Sequence, residues 1–95
     1  MAYLEEIAGP LTFGKLLWSI RKGEDLSQSS FSKKLGISKQ HLSDIENERR
    51  NVSAERAAKF AKKLGYSPEH FVELVLQESV KNAGLKNFQV KLEAV

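Results

Sequence analysis

Residues 26–53 read LSQSSFSKKLGISKQHLSDIENERRNVS, and this stretch decides the fold of the 95-residue chain. Ser27 and Ser38 can each begin a short helix, because a serine at the N-cap accepts a hydrogen bond from an otherwise unpaired helix N–H. Between them, Gly36 supplies the left-handed residue that ends a helix. A turn this short makes the two helices cross steeply. The stretch therefore predicts two short helices packed across a sharp turn.

Three further helices flank this pair. One is predicted over residues 12–22, where apolar side chains recur at the spacing of a core-facing helix stripe. Thr12 can cap this helix and Gly23 can end it. Ser53 can cap another that ends at residue 64, and Ser67-Pro68 can begin a third that runs to residue 82. Residues 88–95 alternate apolar and polar side chains, which is typical of a strand. The sequence predicts an all-α fold of five helices, with a short C-terminal β-strand as the one candidate exception.

The length of the chain suits one small domain. We expect residues 1–10 to form an N-terminal arm, residues 11–83 the helical domain and residues 84–95 a tail. The opening MAYLEEIAGP carries acids and no lysine or arginine, so we expect no signal peptide. Apolar runs do not exceed four residues, so we expect no membrane span. The chain has no cysteine, which excludes disulfides and thiolate metal sites and favours a cytoplasmic location.

Positive charge is concentrated in the middle of the chain. The whole chain has 15 Lys and Arg against 12 Asp and Glu, a net charge of +3. Residues 33–63 alone hold nine basic and four acidic residues, a net charge of +5. Such a segment favours a polyanionic partner. A solvated helix face has a similar composition, so charge alone leaves both interpretations open.

The second helix of the pair, predicted over about 38–47, has an outward face suited to reading bases. At about 100° per residue, Leu42 and Ile45 point inward. The outward face and its flank then hold Lys39, Gln40, Ser43, Asp44 and Asn47. Lysine, glutamine, serine and asparagine side chains can bond to base edges in the major groove of DNA. Any surface helix also shows a polar face, so this face does not by itself establish DNA binding.

The quoted stretch resembles the phage repressor/Cro-type (XRE-like) helix-turn-helix family. Residues 26–28 (LSQ), 35–38 (LGIS) and 45–46 (IE) match the family pattern in residue type and in spacing, and a weaker similarity extends over residues 13–71. The resemblance implies that Gln28 binds a phosphate and braces the recognition helix, the second helix of the pair. It implies contacts with bases and nearby phosphates for Ser38, Lys39, Gln40, Ser43 and Asp44, contacts with the DNA backbone for Asn47, Arg49 and Arg50, and a place at the groove margin for His41.

Two further positions follow from the same resemblance. The family pairs the counterpart of Glu46 with a basic residue of the first helix, which is Arg21 here, and we interpret this as a structural ion pair. Glu48 stands where the family usually has glycine. Glycine lets the chain turn sharply there, so the path of the loop that carries Arg49 and Arg50 is left open.

The resemblance implies a sequence-specific DNA-binding transcriptional regulator, most often a dimeric repressor that reads a palindromic operator in double-stranded DNA. Many compact chains of this family are similar to antitoxins, which bind a toxin protein and repress their own operon, so that alternative stays open. An enzyme is not expected, because the sequence has no cysteine nucleophile, glycine-rich phosphate loop or HExxH motif. We expect no cofactor and no metal.

We expect a second copy to bind through the fifth helix and the tail. Their apolar residues are Phe71, Val72, Val75, Leu76, Phe88, Val90 and Leu92. The strand over 88–95 would pair with the same strand of the second copy, because unpaired strand N–H and C=O groups are otherwise left to water. Dimerisation through the fifth helix alone, or burial of both segments in the core, is the alternative.

Overall fold

The computed structural model describes residues 11–85 and 87–93, and five α-helices lie within them. In chain order, α1 to α5 span Phe13–Gly23, Gln28–Leu35, Lys39–Glu46, Ala54–Leu64 and Pro68–Asn82. The described residues contain no β-strand, so the predicted all-α fold of five helices is confirmed. The arm predicted over residues 1–10 and the last two residues of the predicted strand lie outside the described residues.

The chain divides into two compact units between Asn51 and Val52. In the first unit, α3 packs on both α1 and α2. In the second unit, α4 and α5 pack on each other. The domain limits that the sequence predicts, residues 11–83 with a tail over 84–95, stay predictions.

The apolar core of the first unit comes from all three of its helices. Its buried side chains are Phe13, Leu17, Phe31, Leu35, Leu42 and Ile45. Leu42 and Ile45 are the two inward positions predicted for α3, and both are at most 2% exposed. Full burial of a side chain of this size contributes roughly 1.5–3 kcal/mol. The orientation of α3, which decides which of its side chains face outward, is therefore fixed by its own sequence.

The predicted caps begin four of the five helices. The hydroxyls of Thr12, Ser27, Ser38 and Ser53 each accept a hydrogen bond from the N–H three residues further on. Ser67 holds the equivalent place before α5 but accepts no such bond. There the proline at the first helical position suffices, because its fixed φ suits the helix and it has no N–H to satisfy.

The first helix ends in a different way from the prediction. Gly23 was expected to end it, but Gly23 is its last helical residue, and the left-handed residue is Asp25, with φ 56°. The N–H of Leu26 then donates to the carbonyl of Arg21 at 3.0 Å. Aspartate tolerates the left-handed region better than most residues, because its short polar side chain bonds locally. The left-handed residue therefore lies two residues after Gly23, the glycine at which the sequence places the end of the helix.

The core of the second unit combines α4 with α5. Its buried apolar side chains are Val52, Ala57, Phe60, Ala61, Phe71 and Val75. Phe71 and Val75, both proposed for dimerisation, are thus buried within one chain rather than exposed on its surface. Among the other candidates, Val72 and Leu76 are half-buried, as are Val90 and Leu92, whereas Phe88 is 63% exposed.

The tail forms no strand within one chain over residues 88–93. It lies along α5, where the side chains of Glu73 and Gln77 bond to its backbone. A strand requires a ladder partner, and the described residues of a single chain offer none. Pairing of the tail between two copies stays a prediction.

Candidate nucleic-acid interface

The turn between α2 and α3 sets the start of the outward-facing helix. Gly36 has φ 76°, and its N–H donates to the carbonyl of Lys33 at 3.1 Å. The next N–H, that of Ile37, donates to the carbonyl of Ser32 at 3.0 Å. These two bonds satisfy carbonyls at the end of α2. Ser38 follows directly and caps α3. Every residue between the two helices therefore forms a terminal hydrogen bond, and this fixes where α3 begins.

Gly14 allows α1 to approach α3 closely. This glycine is buried, and a Cβ atom built on it would overlap the backbone carbonyl oxygen of Ile45. Sequence reasoning missed this contact. The available signal was a glycine inside a predicted helix, which is destabilising by roughly 0.5–1 kcal/mol relative to alanine unless packing requires it. Here packing requires it, because only glycine lets the two backbones come this close.

A buried carboxylate ties the end of α3 to α1 and α2. Arg21 donates from Nε to Glu46 Oε2 at 2.8 Å and from Nη2 to Oε1 at 3.0 Å. Gln28 Nε2 donates to the same Oε1 at 3.0 Å. The side chain of Glu46 is 3% exposed and that of Arg21 is 12% exposed. Arg21 and Glu46 thus form a bidentate ion pair, and Gln28 links α2 to the same carboxylate.

A second network lies on the outward face of α3. Asp44 Oδ1 accepts a bond from Gln40 Nε2 at 3.0 Å and bonds from Arg49 Nε and Nη2 at 3.2 and 2.9 Å. Hydrogen bonds from Arg49 and then from Gln40 hold the pKa of Asp44 below its ordinary value, and the nearby charges of Arg49 and Arg50 add to this. Asp44 is therefore a carboxylate at neutral pH and holds two exposed side chains in place.

The loop after α3 closes through a left-handed glutamate. Glu48 has φ 60°, and its N–H donates to the carbonyl of Ile45 at 3.1 Å. The N–H of Arg49 donates to the carbonyl of Asp44 at 2.8 Å. These are the two bonds of a Schellman motif, whose left-handed position is usually glycine. Glu48 thus follows the path that glycine would take, which answers the question raised by the sequence, at a cost of about 1–2 kcal/mol for a residue with a Cβ.

The remaining candidates lie around this network. Asn47 donates from Nδ2 to the carbonyl of Ser43 at 2.8 Å and to its hydroxyl at 3.3 Å. Ser43 and His41 are half-buried. The other candidates on α3 and in the loop are exposed: Ser38, Lys39, Gln40, Asn47, Arg49 and Arg50. All ten predicted positions belong to the first unit.

Comparison with known proteins identifies the motif. Residues 19–71 match the sequence model of a family described as helix-turn-helix, which is more than half of the chain. The chain belongs to the XRE-like helix-turn-helix family. No curated protein and no solved structure matches it. Family membership makes this a DNA-binding domain of a transcription regulator.

In helix-turn-helix proteins the second helix of the motif lies in the major groove, and α2 and α3 are the two helices of the motif here. The exposed basic residues near α3 in the first unit are Lys33, Lys34, Lys39, Arg49 and Arg50. Lys34 pairs with Glu24 at 3.0 Å and Arg49 pairs with Asp44. Glu24 and Asp44 are thus used in ion pairs, Glu48 is exposed beside Arg49, and the five basic residues outnumber these three acids.

The described residues also bear on membrane and metal binding. No helix there is both long and apolar enough to cross a membrane. No group of three or more His, Asp and Glu side chains within residues 11–85 and 87–93 is arranged to hold a metal ion.

Proposed function

We propose that this protein is a sequence-specific repressor whose α3 lies in the major groove of double-stranded DNA. The observation that carries the proposal is the network on α3, in which Asp44 holds Gln40 and Arg49 outward while Glu46 anchors the same helix on its inner side. A base-reading helix requires both properties, because readout depends on side chains held at fixed positions relative to the duplex.

Gln40 is the proposed base reader. A glutamine amide recognises adenine by donating to N7 and accepting from the N6 amino group. In this structure one N–H of Gln40 Nε2 is directed to Asp44. The second N–H of the amide and the carbonyl oxygen are the groups that adenine requires. Asp44 thus selects the amide orientation that suits adenine.

Phosphate contacts are proposed for the residues around α3. Arg49 and Arg50 follow the helix, Lys39 lies in its first turn, and all three are exposed. Gln28 uses one N–H on Glu46, which leaves the other for a phosphate. Contacts of this kind set the register of the protein on DNA and make affinity fall with salt, because bound phosphates release counterions.

Two copies on a two-fold symmetric operator complete the proposal. Dimers of helix-turn-helix proteins place two recognition helices in successive major grooves about 34–36 Å apart, so that each reads one half-site. Repression then follows from occupancy of a promoter that overlaps the operator.

Selection from a random duplex library with the full chain tests this proposal. We expect enrichment of an inverted repeat whose half-sites are centred about 10 base pairs apart. Binding of the selected site should weaken steeply between 50 and 200 mM salt, as expected when several phosphates are neutralised. Selection that enriches no motif, or an affinity that does not change with salt, would contradict the proposal.

An antitoxin is the second candidate, favoured by apolar side chains left exposed after α5. Leu85 is 47% exposed and Phe88 is 63% exposed. Apolar surface of this kind suits a protein partner. Expression together with neighbouring genes and purification through the full chain would distinguish the two. A small protein that co-purifies and whose toxicity the chain suppresses would establish the antitoxin, and purification of the chain alone would favour the simple repressor.

A further inference from the structure

The tail is attached to α5 by one of its two backbone edges. Gln77 donates from Nε2 to the carbonyl of Phe88 at 3.0 Å and accepts the N–H of Val90 on Oε1 at 2.8 Å. Two residues further, the N–H of Leu92 donates to Glu73 Oε1 at 3.0 Å. The engaged groups belong to alternate residues. This is the pattern of an extended chain, in which every second residue directs its N–H and C=O to the same edge.

The opposite edge carries the backbone groups of Gln89, Lys91 and Glu93. Within the described part of the chain, no hydrogen bond engages the N–H or C=O of these three residues. Their side chains are exposed, whereas those of Val90 and Leu92 are half-buried. The side chains of α5 therefore hold an extended segment with one edge satisfied and one edge open, and an open edge is a template for a further strand.

We propose that the occupant of this edge is the same edge of a second copy, paired antiparallel about a two-fold axis. The inference rests on the proposed function above, in which two copies bind one operator, and it specifies the surface and the register that join them. Antiparallel pairing of identical segments uses the same patch on both copies and closes a dimer.

Charge selects the register. Residues of the open edge face each other in hydrogen-bonded pairs. Opposite the neutral Gln89, Lys91 would form no ion pair. Lys91 can otherwise lie opposite Lys91 or opposite Glu93 of the second copy. The first arrangement places like charges directly across from each other, which is destabilising, whereas the second forms two cross-strand ion pairs. In the second register the two-fold axis passes beside Leu92, and the two Leu92 side chains face each other in a non-hydrogen-bonded pair. No ion pair within the described residues competes for Lys91 or Glu93.

Charge reversal in the full chain tests this pairing. Lys91→Glu leaves only acids at the two positions and Glu93→Lys leaves only bases, so each variant should weaken the dimer roughly tenfold at low salt in sedimentation equilibrium. An equimolar mixture of the two variants restores both ion pairs, so it should form a heterodimer about as stable as the wild-type dimer. Lys62→Glu, an exposed charge reversal on α4, is the matched control and should not change dimerisation.

Amide hydrogen exchange gives a second readout that does not depend on the variants. The amides of Val90 and Leu92 should be protected at every protein concentration, since α5 engages them. The amides of Lys91 and Glu93 should gain protection only as the concentration rises.

Single-cysteine variants report the register. Leu92→Cys should form an intermolecular disulfide readily, because the two Leu92 positions face each other. Gln89→Cys should not, because in this register residue 89 lies far from residue 89 of the second copy.

The outcomes separate this inference from the proposed function. Variants that dimerise like the wild type, a mixture that fails to restore the dimer, or equal exchange at all four amides would overturn the pairing. If these occur while library selection still enriches a motif, the DNA-binding proposal stands and the dimer forms elsewhere. If the charge reversals behave as expected and selection enriches no motif, the pairing stands and the repressor proposal fails.

Discussion

Replacement of Arg21 by methionine removes two of the three side-chain hydrogen bonds that Glu46 accepts and leaves a nearly buried carboxylate with Gln28 alone. Methionine keeps the length of the apolar stem, so the change is mainly one of charge. Removal of one partner of a buried ion pair costs about 3–5 kcal/mol, because the remaining charge stays desolvated. A 95-residue chain has a total stability of roughly 5–14 kcal/mol. The variant should therefore lose a large part of its stability.

Urea unfolding followed by far-ultraviolet circular dichroism measures the loss. The matched control is the double variant Arg21→Met with Glu46→Leu, which removes both charges. Replacing a buried ion pair by apolar residues of similar size is often close to neutral. The double variant should therefore be more stable than Arg21→Met by about 2 kcal/mol or more. A loss below 1 kcal/mol for Arg21→Met, or a double variant no more stable than the single one, would refute the view that Glu46 is a desolvated anchor of α3.

Three other substitutions test the geometry of the recognition helix and its loop. Gly14→Ala should destabilise the protein by about 1–3 kcal/mol in calorimetry, because its Cβ overlaps the carbonyl oxygen of Ile45; an unchanged melting temperature would contradict the close approach. Glu48→Gly should stabilise the protein by about 0.5–1 kcal/mol, because relief of the left-handed strain exceeds the entropy cost of glycine. Glu48→Ala keeps the strain and should not stabilise the protein. Asp44→Asn should strengthen binding to non-specific duplex, because it frees the charge of Arg49. Because the pKa of Asp44 is lowered in the folded protein, its ion pair stabilises the fold above the ordinary carboxyl pKa. This stabilisation is lost as the pH falls through the lowered pKa. The stabilities of the wild type and Asp44→Asn should therefore converge in acid.

The helices and their orientation could be predicted from the sequence because their determinants are local. Ser27, Ser38 and Gly36 act within a few residues of themselves, and the spacing of Leu42 and Ile45 fixes which face of α3 is outward. These features depend on backbone propensity and on helical periodicity alone. They were accordingly found without knowledge of the partner elements.

Contacts between residues distant in sequence could not be predicted in the same way. The overlap at Gly14 depends on where α3 passes α1, and the bond from Gln28 to Glu46 depends on how α2 meets α3. Similarly, the apolar residues of α5 lie on so much of the helix that the sequence does not show which of them are buried, as Phe71 is. The first helix ends at Gly23, but the left-handed residue is Asp25 rather than the glycine, because aspartate tolerates this conformation.

Gln40 and Arg49 are proposed to have different roles in binding DNA, and site selection with one variant of each residue tests this most directly. Gln40 is proposed to read adenine, worth about 1–3 kcal/mol of discrimination, whereas Arg49 is proposed to bind the DNA backbone. Gln40→Ala should therefore enrich sites that have lost the preference for one base pair in each half-site. Arg49→Ala should enrich the wild-type motif with weaker binding to every sequence. A Gln40→Ala variant that selects the unchanged wild-type motif would contradict the placement of this helix in the major groove.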